Sequence, residues 1–433
     1  MYRDGRSLVH PRDEILQVME RIYGFRMTTT SGGNISIREE CGDIWITPTR
    51  LDKGSLRRDD IVRVSTDGAV DGPHQPSSEY PFHRAIYDAR PDLRGLVHAH
   101  SVALVAFSVC GALPETRILH QAADLCGPVA LAPYALPGSA RLAENIVAAF
   151  GRDAHCVLLE NHGVVVGDAS LQGAFERFET LEFAAKTMIK ARMLGELHAL
   201  SDEQLAMPRE AAAGLPEFLP RPASSAEKDL RRQICSFLQR GYRNRLMIST
   251  QGSFSARVDD RSFVITPYRL DRHTLRPEDI VLVQRGQREA GKNPSRAALL
   301  HQAIYDRRPE VGAVANAYPV NATAFSVTRA PLNTRTIPES YLLLRDVHRF
   351  AFGRQFRDAA ALADELSLER PVALVDNDGA LVCGRDVLDA FDRLEVLEST
   401  AETLINGRFV AEARPMSEEV IADLAAAFFG KAK

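Results

Sequence analysis

The hydrophobic and polar positions alternate around two closely spaced histidines in the first half of the chain. In the stretch Gly95-Leu96-Val97-His98-Ala99-His100-Ser101, apolar residues follow a glycine and surround His98, a pattern that predicts a short buried strand. Because side chains alternate between the two faces of a strand, His98 and His100 point to the same face, roughly 7 Å apart. Two imidazoles on one face can bind one metal ion if a further ligand reaches them. The alternative is a pair of hydrogen-bonded core histidines.

Helical and strand periodicities alternate through the rest of this half of the chain. The predicted elements are a helix over 13–23, a strand pair over 33–38 and 43–47, a helix capped by Ser77 or Ser78 and running through Tyr87, a strand pair over 156–160 and 164–166, and a helix over 171–194. The inward face of the last helix is predicted to carry Phe175, Phe178, Leu181, Ala185, Met188 and Ile189.

Three segments of the chain recur in the same order about 218 residues later, a period too long for a solenoid. The repeated pairs are Ile46–Asp52 with Ile265–Asp271, Ala85–Asp92 with Ala303–Glu310, and Ala106–Val109 with Ala324–Val327. The segment between the copies is rich in proline and contains three consecutive alanines, 211–213, which is typical of a linker. We therefore predict a first domain over 1–200, a linker over 201–226 and a second, duplicated domain over 227–433.

The chain has 433 residues and a formal net charge of −4. Charged residues make up 25% of the chain and hydrophobic residues 45%. This balance is ordinary for a globular protein and gives no reason to expect nucleic acid or an anionic membrane as a partner. No apolar run reaches the length of a membrane span, the N-terminus lacks the apolar segment of a signal peptide, and the six cysteines are scattered. We therefore expect a cytoplasmic protein, in which local basic positions bind a small anionic substrate.

His162 is the predicted third metal ligand, because the turn Asn161-His162-Gly163 between two apolar strands aims it at one edge of a sheet. Three neutral imidazoles leave a coordination position open, as in catalytic metal sites. Glu79, at the start of a predicted helix, can be a fourth ligand or a general base. The alternatives are a turn histidine bonded to the backbone and a glutamate that only favours the helix dipole.

Three polar turns accompany these residues, namely Thr30–Asn34, Thr47–Arg50 and Ser77–Ser78. Their hydroxyl and backbone N–H groups, together with a helix N-terminus, can bind an anion. Taken singly, each is better explained as an ordinary turn.

Six motifs in this order make the first half of the chain resemble the class II aldolase/adducin family, typified by fuculose-1-phosphate aldolase. The motifs are Thr30-Ser31-Gly32-Gly33-Asn34-Ile35-Ser36, Ile46-Thr47-Pro48-Thr49, Ser77-Ser78-Glu79, Val97-His98-Ala99-His100, Ala132-Pro133-Tyr134 and Asn161-His162-Gly163. The resemblance implies an α/β fold of two tandem three-layer α/β/α domains, each around a mainly antiparallel central sheet. It also implies a homo-oligomer, either a tetramer or a dimer of the duplicated chain that imitates one.

The resemblance further implies the roles of individual residues. His98, His100 and His162 would bind a divalent metal, most often Zn²⁺ with Mn²⁺, Co²⁺ or Fe²⁺ as alternatives, and Glu79 would be a ligand or base. The phosphate or carboxylate of the substrate would lie against Asn34, Thr49, Ser77 and Ser78.

The sequence departs from the sugar-phosphate aldolases of this family at two positions. Arg50 stands where they have glycine, and a guanidinium there could pair with a carboxylate or crowd out a phosphate. The proton-donating tyrosine that follows an Ile-Pro stretch in those aldolases is absent, and His120 resembles the histidine of relatives that decarboxylate aromatic or hydroxy acids. His120 is therefore a candidate acid, with a surface helix histidine as the alternative.

These features predict a metal-dependent carbon–carbon lyase that cleaves a hydroxy-carbonyl substrate through a metal-stabilised enolate. Decarboxylation of a hydroxy or aromatic acid at the same site is the alternative, because both reactions pass through an enolate. Dehydration or epimerisation of a sugar phosphate and a non-catalytic, adducin-like interaction protein are further alternatives.

Every proposed ligand is replaced in the second copy, so we predict that this copy binds no metal. The replacements in register are Asn34 by Ser253, Glu79 by Ala297, His98 by Asn316, His100 by Tyr318 and His162 by Asp378. Our hypothesis is that the second copy is a structural partner of the first and occupies the position that a neighbouring subunit has in the family. The alternative is that Tyr268, Arg269 or Tyr318 completes the pocket of the first.

Overall fold

The protein is described by a computed structural model, which covers residues 2–3, 6–7, 9–210 and 214–429. The chain forms two compact units. Unit 1 comprises the residues up to Thr116 together with Gln121–Lys186, and unit 2 comprises Arg117–His120 together with the residues from Thr187 onward. Each unit contains its own large sheet. In the described part of the chain, no helix is both long enough and apolar enough to cross a membrane.

The described strands of unit 1 run from β1 to β10. They are β1 (Tyr2–Arg3), β2 (Arg6–Ser7), β3 (Asn34–Arg38), β4 (Ile44–Ile46), β5 (Val62–Val64), β6 (Val70–Asp71), β7 (Gly95–Ala99), β8 (Val129–Ala132), β9 (Cys156–Leu159) and β10 (Gly163–Asp168). β1 pairs with β2, and the others form one sheet in the order β6-β5-β4-β3-β7-β10-β9-β8. Its neighbouring strands are antiparallel except β8 and β9, which confirms the predicted mainly antiparallel sheet.

Helices cover both faces of this sheet. They are α1 (Pro11–Gly24), α2 (Tyr80–Ala89), α3 (Val102–Val109), α4 (His120–Cys126), α5 (Ala140–Phe150) and α6 (Leu171–Arg192). α2 and α5 share a core with Leu96 of β7 on one face. Val97 points to the other face by alternation and is also fully buried. α1 contacts β3 and β4, and its Arg21 lies 4.3 Å from the ring centroid of Phe175 in α6. The unit is therefore a three-layer α/β/α structure, as predicted.

Unit 2 repeats this architecture with additions at both edges of its sheet. Its strands are β11 (Glu217–Phe218), β12 (Ser253–Asp259), β13 (Ser262–Ile265), β14 (Val281–Gln284), β15 (Gln287–Glu289), β16 (Ala313–Ala317), β17 (His348–Phe350), β18 (Val372–Val375) and β19 (Gly379–Gly384). They form one sheet in the order β11-β15-β14-β13-β12-β16-β19-β18-β17. The helices from residue 202 onward are α7 (Asp202–Glu210), α8 (Ser225–Arg243), α9 (Ala298–Arg307), α10 (Val320–Ser326), α11 (Pro338–Leu344), α12 (Arg354–Arg357), α13 (Ala359–Asp364), α14 (Val387–Gly407) and α15 (Glu418–Phe428).

The segment 201–226, predicted as a linker from its prolines, contains regular structure. It holds α7, and β11 pairs in parallel with β15 through Glu217 and Arg288, so this segment extends the sheet of unit 2. The alanines 211–213 lie outside the described residues. The division of the chain at residues 200 and 227 stays a prediction.

Two local predictions differ from the structure. The helix predicted from Ser77 or Ser78 begins at Tyr80 and has Glu79 as its N-cap; the Ser77 hydroxyl accepts a 3.3 Å hydrogen bond from the Glu79 N–H. The prediction that Ile189 faces inward is wrong, because its side chain is 37% exposed. Ile189 follows the buried Met188 by about 100° around the helix, which turns it away from the core.

Candidate metal centre

His98 is held at the middle of the sheet of unit 1 by pairing on both sides of β7. It lies opposite Asn34 of β3 and Val165 of β10, and its side chain is buried. The His98 Nδ1 atom lies 3.0 Å from the Val164 carbonyl oxygen, which can only accept, so Nδ1 carries the proton. The Nε2 atom of His98 is consequently the one with a free lone pair, the form that binds a metal ion.

The other two histidines approach His98 because glycine leaves room for them. A Cβ atom at Gly163 would lie 2.8 Å from the His100 Cδ2 atom and 2.7 Å from the Ala99 carbonyl oxygen. The backbone N–H of His162 donates a 3.1 Å hydrogen bond to the Ser108 hydroxyl, which in turn donates to the Leu159 carbonyl oxygen at 2.5 Å. α3 therefore anchors the turn that carries His162.

The predicted ligand set converges in unit 1. One nitrogen from each of His98, His100 and His162 lies within 4.8 Å of the others. The Nε2 atoms of His98 and His100 are 3.0 Å apart. The carboxylate of Glu79 places Oε2 3.1 Å from His98 Nε2 and Oε1 3.4 Å from His162 Nε2. Two ligands on one tetrahedral zinc ion lie about 3.3 Å apart, so these separations fit a single ion.

The protonation states of these groups also suit a cation. Burial lowers the pKa of His100 to about 3 and that of His162 to about 4, with His98 as a further cause for both, so both are neutral at neutral pH. Burial acts to raise the pKa of Glu79, but His98, the Asn34 amide and His162 outweigh it and hold the pKa well below its usual range. The imidazoles of these two residues and of His98, together with the Glu79 carboxylate, are a donor set that suits a divalent ion such as zinc.

The three polar turns predicted to bind an anion are bonded to one another. Pro48 and Pro76 form an isolated bridge, and the Ser77 N–H donates to the Thr47 carbonyl oxygen at 3.2 Å. Lys53 joins the first turn, because its N–H donates to the Thr30 carbonyl oxygen at 2.8 Å. Arg50 and Ser78 are exposed, Thr49 is half-buried and Ser77 is buried, so the first three can meet a ligand from solvent. The substrate roles of all four stay predictions.

Lys53 and His83 are two buried polar residues that the sequence analysis missed. Burial lowers the pKa of Lys53 to about 8, and its Nζ atom donates to the Pro48 carbonyl oxygen at 2.8 Å. His83 is fully buried and bonded to Asn34. A signal for His83 was present, because it follows Glu79 by one helical turn and recurs in the second copy as His301.

His120, the predicted acid, belongs to unit 2. Its Nδ1 atom lies 3.1 Å from Asp378 Oδ1, and the rings of Phe352 and Phe356 pack nearby. Asp378 also accepts hydrogen bonds from the Tyr318 hydroxyl at 3.2 Å and from Gln355 Nε2 at 2.9 Å. The contacts of His120 are therefore with the second copy, and its role as an acid stays a prediction.

The strand registers support the correspondence assigned between the two copies. Ser253 pairs with Asn316 as Asn34 pairs with His98, and Ala297 is the N-cap of α9 as Glu79 is the N-cap of α2. Of the described residues, the groups of three or more close His, Cys, Asp or Glu ligand atoms are the three histidines and the hairpin residues Glu39, Cys41 and Asp43. Both groups belong to unit 1.

Comparisons with known proteins identify the family of the chain. The model of the Class II Aldolase and Adducin N-terminal domain matches residues 13–189 and again residues 232–405. A 5-deoxy-D-ribulose 1-phosphate aldolase of Bacillus thuringiensis serovar kurstaki is 34% identical over 200 residues, which are 45% of this chain and 91% of that protein. A 3-oxo-tetronate 4-phosphate decarboxylase of Escherichia coli is 32% identical over 179 residues, 40% of this chain and 84% of that protein.

Among solved structures, an L-fuculose 1-phosphate aldolase is 28% identical with a TM-score of 0.43, and the match covers 47% of this chain and 97% of that one. The two matched regions together span most of the chain. The chain therefore belongs to the class II aldolase and adducin N-terminal domain family, whose domain it carries twice.

Proposed function

We propose that the protein is a metal-dependent carbon–carbon lyase, with its active site in unit 1. The observation that carries the proposal is the convergence of Glu79 with His98, His100 and His162, which are all placed to bind one ion. A divalent cation held there, with Zn²⁺ as the first choice, would supply the Lewis acidity that draws electrons toward a substrate carbonyl oxygen.

Glu79 is the residue proposed to move the proton. Its low pKa makes it an ionised acceptor at neutral pH, and Asn34 Nδ2 holds its Oε2 atom at 2.8 Å. In aldol cleavage, Glu79 would accept the proton of the substrate hydroxyl while the carbon–carbon bond breaks and leaves an enolate. The enolate then takes up a proton.

Aldol cleavage of a small phosphorylated hydroxy-carbonyl compound is the first choice for the reaction. The named relatives include aldolases that act on sugar phosphates, which supports it. Decarboxylation is the second choice, supported by the relatives named as 3-oxo-tetronate 4-phosphate decarboxylases and by Arg50, whose guanidinium can pair with a carboxylate.

The test is a substrate panel of ketose 1-phosphates, 3-oxo acid phosphates and hydroxy or aromatic acids, each with Zn²⁺, Mn²⁺, Co²⁺ or Fe²⁺. Release of an aldehyde identifies aldol cleavage, and release of carbon dioxide identifies decarboxylation. His98→Asn is the matched control, because asparagine occupies the same register position in the second copy. A protein that takes up no metal and turns over no member of the panel would contradict the proposal and favour an adducin-like interaction protein.

A further inference from the structure

A buried chain of hydrogen bonds leads from the core of unit 1 to the Glu79 carboxylate. The Ser36 hydroxyl lies 2.8 Å from the Tyr87 hydroxyl and 2.7 Å from His83 Nδ1. His83 Nε2 is hydrogen-bonded to Asn34 Oδ1, and Asn34 Nδ2 lies 2.8 Å from Glu79 Oε2. Ser36, His83 and Tyr87 are fully buried, so solvent does not compete for these bonds.

The donors and acceptors in this chain have one consistent assignment. An ionised carboxylate only accepts, so Asn34 must turn its NH₂ group toward Glu79 and its oxygen toward His83. The His83 Nε2 atom must then donate to that oxygen, which leaves His83 Nδ1 as the acceptor for the Ser36 hydroxyl. The Glu79 carboxylate and the His83 N–H group thus favour the same orientation of the Asn34 amide.

The second copy shows what happens to this arrangement where there is no carboxylate. The Ser255 hydroxyl lies 2.6 Å from His301 Nδ1 and 2.7 Å from the Tyr305 hydroxyl. The buried part of the hydrogen-bond network is therefore retained in the second copy. His301 Nε2, however, is bonded to Asn316 Oδ1 at 2.7 Å. Asn316 lies on β16, at the register position that His98 holds on β7 of unit 1.

The position of the asparagine therefore follows the presence of the glutamate. In both copies the buried N–H of the histidine needs an acceptor, because an unpaired buried donor is costly. The acceptor comes from β3 in unit 1, where its amide nitrogen also reaches Glu79, and from β16 in unit 2, where Ala297 replaces the glutamate. A purely structural role would be served equally well from either strand.

We infer that His83 is a positioning residue: by holding the Asn34 amide in one orientation, it holds the Glu79 carboxylate toward the three histidines. This inference rests on the proposed metal centre and adds a residue that does not itself touch the ion or the substrate. Residues that orient metal ligands in this way contribute about 10- to 100-fold to metal affinity or activity.

The experiment compares His83→Leu with His301→Leu, which removes the equivalent buried imidazole in the second copy. Both variants should lower the temperature of unfolding by similar amounts, because each loses a hydrogen bond to an equivalent buried serine, Ser36 or Ser255. Only His83→Leu should weaken the binding of Zn²⁺, by about 10- to 100-fold in Kd measured by competition with a chromophoric chelator. An unchanged Kd for His83→Leu, or equal weakening by His301→Leu, would overturn the inference.

Asn34→Ser is the second variant and keeps the test valid if His83→Leu does not fold, since serine occupies this position as Ser253 in the second copy. It should weaken Zn²⁺ binding as much as His83→Leu does. The double variant should bind Zn²⁺ as tightly as either single variant, because both changes remove the same effect. Additive losses would show that the two residues act separately. A wild-type chain that binds no Zn²⁺ would refute the proposed function itself, whereas normal binding by these variants would refute only the role of His83.

Discussion

His120 Nδ1 lies 3.1 Å from Oδ1 of Asp378, the residue that stands in the second copy where the first has the proposed ligand His162. Both side chains are almost completely buried. The preceding residue, Asn377, donates from its amide nitrogen to the carbonyl oxygens of Ile118 at 2.8 Å and His198 at 2.7 Å. The turn around Asn377 and Asp378, the counterpart of the turn that carries His162, thus binds the segment Arg117–His120 within unit 2.

This contact separates two roles for His120. As an anchor, His120→Ala should lower the free energy of unfolding by about 1–3 kcal/mol, because it leaves a buried carboxylate with fewer partners, and should leave kcat unchanged. As a catalytic acid, the same change should lower kcat by about 10²- to 10⁴-fold. Urea unfolding and steady-state kinetics distinguish the two.

Asp378→Asn is the matched change on the other side of this contact. An anchoring role requires that it, too, destabilises the protein without lowering kcat. A variant of His120 with normal stability and greatly reduced kcat would instead support the acid predicted from the sequence.

The ligand positions of the two copies should respond differently to the same substitution. His100→Ala should abolish the binding of Zn²⁺, since His100 Nε2 is one of the converging atoms. Tyr318→Ala, at the matching position, should keep full metal content although it loses the hydrogen bond to Asp378. Elemental analysis of both purified proteins gives the answer, and equal loss from both would mean that the copies are assigned wrongly.

Arg50 has a left-handed backbone with φ of 55°, and its counterpart Arg269 has φ of 53°. Glycine adopts this conformation without strain, so Arg50→Gly and Arg269→Gly should each raise the free energy of unfolding by about 1 kcal/mol. If Arg50 binds the substrate anion, only Arg50→Gly should also raise KM. Equal KM values for the two variants would exclude that role for Arg50.

His301 should make the stability of the protein depend on pH. Burial lowers its pKa to about 4, below the usual value near 6.5 in an unfolded chain. Between these values the unfolded chain binds a proton that the folded protein does not, so stability falls by about 1.4 kcal/mol per pH unit as the pH drops from about 6.5 toward 4. The loss is absent above about pH 7, where both states are neutral.

The measurement is urea unfolding at pH 7 and pH 5 for the wild type and for His301→Gln. Other groups titrate in both proteins, so the difference between their pH dependences isolates His301. The hydrogen-bond partners of His301, Ser255 and Asn316, are uncharged and do not add a second titration. Identical pH dependence in both proteins would contradict the prediction.

The sequence by itself determined the duplication and, through the family resemblance, the three-layer class, and it predicted the four residues that converge in unit 1. Strand alternation places His98 and His100 on one face, and the motifs place Glu79 and His162 at the ends of elements that meet the same strand. Such inferences succeed because they depend on local periodicity and on motifs a few residues long.

Only the tertiary structure decided the contacts that join distant parts of the chain. Asn34 contacts Glu79 and His83, which lie 45 and 49 residues further along the chain. Asp378 contacts His120, although more than half of the chain separates them. No local pattern marks these partners, because each pair is brought together by the register of neighbouring strands and by the packing of a helix on the sheet. A buried polar group must find its partner wherever the folded backbone places one, and this is settled only when the whole core is assembled.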